Sequence, residues 1–244
     1  METLSPLFSR GILYDDGLGR AVSGKGRTCG MLDSGARKYV QPLFTWMARG
    51  LVKARVSPNM LTMGGLLLGL GATGAFLRGL PGLALGLLWL SGLLDVLDGS
   101  VARLGNVASP FGALMDLVFD RIVEVVFILG VSFSIPSVRM GALFLLSSII
   151  FSFSVFLAVG ALLAKEKDGG KAFYYQGGLA ERTETFLVFS GVILWPQRAE
   201  DFFLLFTAMI LFTGFQRMRE AYGYFEGPSR ASEEQPREAQ KEAP

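Results

Sequence analysis

The sequence predicts an all-α integral membrane protein, with six transmembrane helices preceded by an N-terminal amphipathic interfacial helix. Three observations carry this. Apolar residues fill 51% of the 244 positions and charged residues only 18%, where an ordinary soluble domain has about 25% charged. Several stretches run charge-free over nearly the length that crosses a bilayer. Lys and Arg gather on one side of those stretches.

The elements follow in order. Residues 1–35 are Gly-rich and weakly patterned and lack a continuous apolar run, so they read as a flexible segment and not as a signal peptide. Within them, 19–26 nearly spells a phosphate-binding loop, but Gly26 stands where Ser or Thr should follow Lys25. From 36 to 56, Val40, Leu43, Phe44, Met47 and Leu51 recur at helical spacing among Arg37, Lys38, Arg49, Lys53 and Arg55. Such a basic amphipathic helix suits a membrane surface, and it also suits packing on the rest of the protein.

Ser57-Pro58 signals a helix start, Ser as cap and Pro in the first turn. Spans are expected at 60–77, at 80–94 continuing into Asp95, at 111–135 and at 140–164. Two shorter ones are expected at 185–195 and 202–215, the former extending if its helix begins near Ala180. Gly65 and Gly69, and likewise Gly82 and Gly86, form G-x-x-x-G pairs, expected to pack inside one bundle. The tail is rich in Pro, Glu, Ser and Lys from Glu226 and is expected to be disordered.

Six spans put both termini on one side, together with the 2–3 and 4–5 loops. That side holds 19 Lys and Arg; the other holds only Arg78, Arg139 and Arg198. The positive-inside rule makes the richer side cytoplasmic.

Composition also bounds the chemistry. There is no His, and Cys29 is the single cysteine. Imidazole bases, a Ser-His-Asp triad, His/Cys zinc sites and an internal disulfide are all excluded. A net charge of +2 gives no pointer to nucleic acid. Catalysis must run on carboxylates, hydroxyls, Lys or Arg.

Carboxylates are costly within a membrane, yet Asp95, Asp98, Asp116, Asp120 and Glu124 sit in or beside spans two and three, near their cytoplasmic ends. Asp95 and Asp98 share one helical face, and Asp116, Asp120 and Glu124 stack on another. Two adjacent helices would then aim four or five carboxylates at one cavity. Only Arg103 and Arg121 are near in sequence, which leaves excess negative charge. Hard divalent ions favour such oxygens and pair them with substrate phosphates. A water-filled vestibule and a proton or cation pathway are the alternatives on spacing alone.

The string from Asp95 is D-x2-D-G-x2-A-R-x8-G-x3-D-x3-D, with Asp95, Asp98, Gly99, Ala102, Arg103, Gly112, Asp116 and Asp120 at its fixed positions. It resembles the signature of the CDP-alcohol phosphotransferase family, whose architecture also matches the six spans and the leading basic helix. The resemblance covers 36–219 as a membrane domain and leaves 220–244 as a tail. It implies transfer of a phosphatidyl-type group from a CDP-linked lipid, CDP-diacylglycerol or an archaeal counterpart, to an alcohol with release of CMP. It implies two divalent ions, Mg²⁺ or Mn²⁺, one on Asp95, Asp98 and Asp116, the other on Asp95, Asp116 and Asp120. Asp120 would be the general base. Gly99 and Ala102 would let cytidine lie against the helix, Arg103 would pair with donor phosphate, and Asn59, Thr62, Ser109 and Gly112 join the donor contacts. A homodimer is implied as well.

The acceptor side departs from the family. Residues 177–184 read G-G-x-x-E-R-x-E, as in inositol-phosphate-using relatives. Those relatives usually carry Arg near the end of the preceding span, and 140–164 has none; another Arg expected after Glu184 is Thr185. Arg121, Lys171 and Arg182 are the candidate acceptor contacts, with Lys165 and Lys167 nearby, although Arg182 also fits a snorkelling interfacial residue. Glycerol phosphate, inositol phosphate and an uncharged alcohol stay open as acceptors.

Overall fold

The computed structural model describes residues 31–166 and 182–226, with side chains over 42–162 and 183–226. These residues form seven α-helices and no strand: α1 Met31–Lys53, α2 Pro58–Leu77, α3 Pro81–Leu104, α4 Pro110–Ser134, α5 Arg139–Glu166, α6 Arg182–Leu194 and α7 Ala199–Phe225. The near phosphate-binding loop at 19–26, Lys167, Lys171 and residues 177–181 lie outside the described residues.

Four segments are long and apolar enough to cross a membrane: Pro58–Leu77, Pro81–Leu104, Pro136–Leu162 and Pro196–Phe225. Two of the expected six, α4 and α6, are not among these four. Helix α4 has the length, 25 residues, but residues 110–124 carry Asp116, Asp120, Arg121 and Glu124. The described part of helix α6 is apolar and has 13 residues, and the residues just before Arg182 lie outside the described set. Helix α7 extends well beyond the expected 202–215, through Phe225. The chain is an integral membrane protein whose helices turn large apolar side chains outward, among them Leu67, Phe133 and Ile150.

Two helices begin alike. Ser57 caps α2 by accepting the Met60 N–H at 3.3 Å, and Ser109 caps α4 by accepting the Gly112 N–H at 3.0 Å. Each is followed by Pro, which has no N–H to leave unsatisfied. The α3–α4 turn closes through Asn106 at φ 51°, a left-handed conformation that Asn tolerates better than most residues.

Buried apolar side chains form two unequal clusters. The larger joins α2 to α7 at the end away from the aspartates, around Phe127 of α4, which stacks on Phe189 of α6 at 4.3 Å between ring centres. The smaller lies at the aspartate end, where Ala48 of α1, Leu61 of α2 and Leu97 and Val101 of α3 meet.

Helix α1 begins at Met31, ahead of the expected 36, and ends at Lys53, ahead of 56, because Arg55 turns the chain at φ 57°. It packs inward with Phe44, Met47, Leu51 and Val52. Leu43, expected on that stripe, is exposed instead beside Trp46, which is 71% exposed.

The two glycine pairs part company. Gly65 approaches the Ser91 carbonyl of α3, and Gly69 faces Val123 of α4, so α2 closes on both neighbours. A Cβ on Gly82 or Gly86 would meet nothing within 4 Å among the described residues, so the second pair does not pack against them as expected. A Cβ on Gly69 would sit 2.6 Å from both Val123 methyls. Gly69→Ala should therefore cost about 1–3 kcal/mol, read by thermal unfolding in detergent, and adding Val123→Ala should return most of it. Losses that merely add would contradict the close approach.

Candidate active site

Helices α2, α3 and α4 enclose a cleft lined by Thr62, Gly65, Leu66, Ser91, Asp95, Asp116, Phe119, Asp120 and Val123. Helix α2 packs against both α3 and α4, which brings the C-terminal half of α3 and the N-terminal half of α4 to one cleft. That places Asp95 and Asp98, one helical turn apart, opposite Asp116. Oxygens from these three carboxylates lie within 4.8 Å of one another.

The surroundings hold these groups in different ways. Asp98 is 6% exposed, and its Oδ2 accepts from the Thr62 hydroxyl at 2.6 Å. Asp116 Oδ1 is buried with no hydrogen-bond partner among the described residues, an arrangement that is costly unless something neutralises it. Asp120 lines the cleft one turn beyond Asp116. Hard oxygen donors, close spacing and a buried acceptor without a partner fit a divalent cation.

Glu124 does not join them. It is buried and takes both terminal nitrogens of Arg121, at 2.6 and 2.7 Å. Arg121 also lies 5.8 Å from the ring centre of Phe153 on α5. Four carboxylates therefore share this end of α3 and α4, not five. Arg121, expected as an acceptor contact, is engaged by Glu124 because both sit within one turn of α4.

The donor candidates gather at the same end. A Cβ on Gly112 would meet Ser109 Oγ at 3.1 Å and Asn59 Oδ1 at 3.2 Å, so Asn59, Ser109 and Gly112 converge between the first turns of α2 and α4. The Arg103 guanidinium folds back over Gly99, 3.3 Å from where a Cβ would stand, and donates to Ser100 Oγ at 3.4 Å. Ala102 is half-buried nearby on α3. Thr62, expected as a nucleotide contact, is buried against Asp98. Of the acceptor candidates, Arg182 begins α6, its side chain outside the described set, as Lys171 is altogether.

Sequence spacing overlooked Ser91 and Arg217. Ser91 precedes Asp95 by one turn and donates to the Gly65 carbonyl at 2.8 Å; a count back from Asp95 along the helix would have found it. Arg217 of α7 lies 5.6 Å from the ring centre of Phe156, a contact between helices that no local spacing signals.

An all-helical membrane bundle with a centre of clustered aspartates defines a class of intramembrane, carboxylate-based proteins. The family model described as CDP-alcohol phosphatidyltransferase matches residues 55–216, and the chain belongs to that family. It is 33% identical over 200 residues to the inner membrane protein YnjF of Escherichia coli, covering 79% of this chain and 96% of that one. It is 29% identical over 171 residues to the phosphatidylinositol phosphate synthase of Corynebacterium glutamicum, covering 65% and 72%. The fold is shared with the phosphatidylinositol phosphate synthase of Mycobacterium tuberculosis solved with CDP-DAG bound, at TM-score 0.60 and 22% identity over 74% of this chain and 94% of that one. The same protein with manganese and citrate gives 0.59 at 23% identity, over 73% and 88%.

Arg121→Ala should leave Glu124 buried without its cation and lower stability by about 1–3 kcal/mol. Thermal unfolding checks this, and Arg121→Ala with Glu124→Leu should recover much of the loss.

Proposed function

We propose that this protein transfers a phosphatidyl-type group from a CDP-linked lipid, CDP-diacylglycerol in the first instance, to an alcohol, releasing CMP in phospholipid synthesis. The observation that carries it is the convergence of Asp95, Asp98 and Asp116 to within 4.8 Å, with Asp120 in the same cleft. Support for the donor comes from the relative solved with CDP-DAG bound, and for a metal from the one solved with manganese.

Asp95, Asp98 and Asp116 would hold one Mg²⁺ or Mn²⁺ ion, and Asp95, Asp116 and Asp120 a second. When bound, such ions neutralise the donor pyrophosphate and make CMP a good leaving group. Gly99 and Ala102 leave room for cytidine along α3, with Arg103 over Gly99 to pair with phosphate oxygens. Asn59 and Ser109 offer polar atoms at the paired helix starts, beside the space that Gly112 leaves. Asp120 takes the proton of the acceptor hydroxyl as its oxygen bonds to phosphorus and the bond to the CMP oxygen breaks. With no His in the chain, a carboxylate is the conventional base at hand. Six spans, cytoplasmic termini and site, an interfacial α1 and a homodimer complete the proposal.

The acceptor is an alcohol or polyol phosphate. Its phosphate, if present, would be held by cations, with Arg121, Lys171 and Arg182 the candidates. Purified protein given CDP-diacylglycerol and Mg²⁺ should release CMP with one member of a panel of serine, glycerol phosphate, inositol and inositol phosphate, with the product identified by mass. Asp120→Asn should slow that release by about 10²–10⁴-fold. Parent-rate turnover in this variant would remove Asp120 as base, and ion flux in sealed vesicles without CMP release would replace the proposal with an ion pathway.

A further inference from the structure

We infer that Thr62 is a positioning residue for the metal centre: its hydroxyl, reaching from α2 to α3, sets the orientation of the Asp98 carboxylate. The inference rests on the metal reading of the aspartate cluster.

Three observations place it there. The Thr62 hydroxyl lies 2.6 Å from Asp98 Oδ2, at the short end for O–H···O⁻ bonds. Thr62 and Asp98 are 7% and 6% exposed, so bulk water does not compete for the bond. The contact also joins residues 36 positions apart, so it exists only once α2 and α3 have packed.

The chemistry gives the bond a direction. A threonine hydroxyl has one proton, and Asp98 offers only acceptors when ionised. The other acceptor near Thr62 Oγ1 is the Pro58 carbonyl at 3.1 Å, the ordinary back-bond of a helical threonine. The carboxylate is nearer and charged, so the proton goes to Asp98. The bond restricts rotation of a group whose oxygen must stay within 4.8 Å of those of Asp95 and Asp116. Leu61 and Leu97, the chain neighbours of Thr62 and Asp98, are both buried in the cluster that joins α1, α2 and α3, which fixes both ends of the bond. Outer hydrogen bonds to metal-ligating carboxylates typically change metal affinity or activity by 10–100-fold.

The test is direct Mn²⁺ binding to purified protein in detergent without donor lipid, by electron paramagnetic resonance, for wild type, Thr62→Val and Thr62→Ser. Val keeps the shape and loses the donor; Ser keeps the donor. Thr62→Val should weaken Mn²⁺ by at least about tenfold, and Thr62→Ser should stay within about twofold. In CMP release, Thr62→Val should need more Mg²⁺ for half-maximal rate, with an unchanged donor KM at saturating Mg²⁺. Wild-type Mn²⁺ affinity in Thr62→Val with a raised donor KM would overturn the inference and make Thr62 a nucleotide contact. Equal weakening in Val and Ser would overturn it in favour of simple packing. If Thr62→Val does not fold, Thr62→Ala against Thr62→Ser makes the same comparison, and equal affinities overturn the inference. A wild type that binds no Mn²⁺ sinks the metal reading as well, so the two failures are distinct.

Discussion

The mutual repulsion of closely packed carboxylates is the constraint that organises this protein. Three aspartates bring oxygens within 4.8 Å of one another in a chain otherwise suited to lipid. In a medium of low dielectric such groups repel strongly and lose hydration. They persist only where neighbours hold them in place and positive charge can reach them. The local architecture does both. Packing on α2 brings the two acidic stretches to one cleft, α2 supplies a hydroxyl to Asp98, and the cleft is where a cation would sit.

The same constraint explains the treatment of Glu124. It stands one turn beyond Asp120, on the sequence face that would add a fifth negative charge to the cleft. Arg121 takes it in a two-pronged bond, which neutralises it within α4 itself. An Arg–carboxylate pair formed this way is geometrically demanding.

Much of this was legible in the sequence because the deciding relations are local. Ser57-Pro58 and Ser109-Pro110 announce helix starts through chemistry confined to one turn. The spacing of Asp95, Asp98, Asp116 and Asp120 translates directly into helix faces, which packing on α2 brings together. What escaped depends on relations between helices, or on competition within one. Nothing in the local pattern says that Thr62 faces Asp98, or that Gly82 and Gly86 turn outward while Gly65 and Gly69 turn in. Leu43 fits an inward stripe by spacing, yet Phe44, Met47 and Leu51 pack inward while Leu43 stays outside with Trp46.

The unequal division of the apolar packing has a mechanical meaning. Phe127, Phe189 and their neighbours clamp the bundle at one end, while a handful of side chains around Leu61 and Leu97 hold the other. Helices fastened so act as levers. A tilt of about 3° at the clamp carries the tip of a 25-residue helix such as α4 by roughly 2 Å, with no change of secondary structure. Any such tilt would move the aspartate end most.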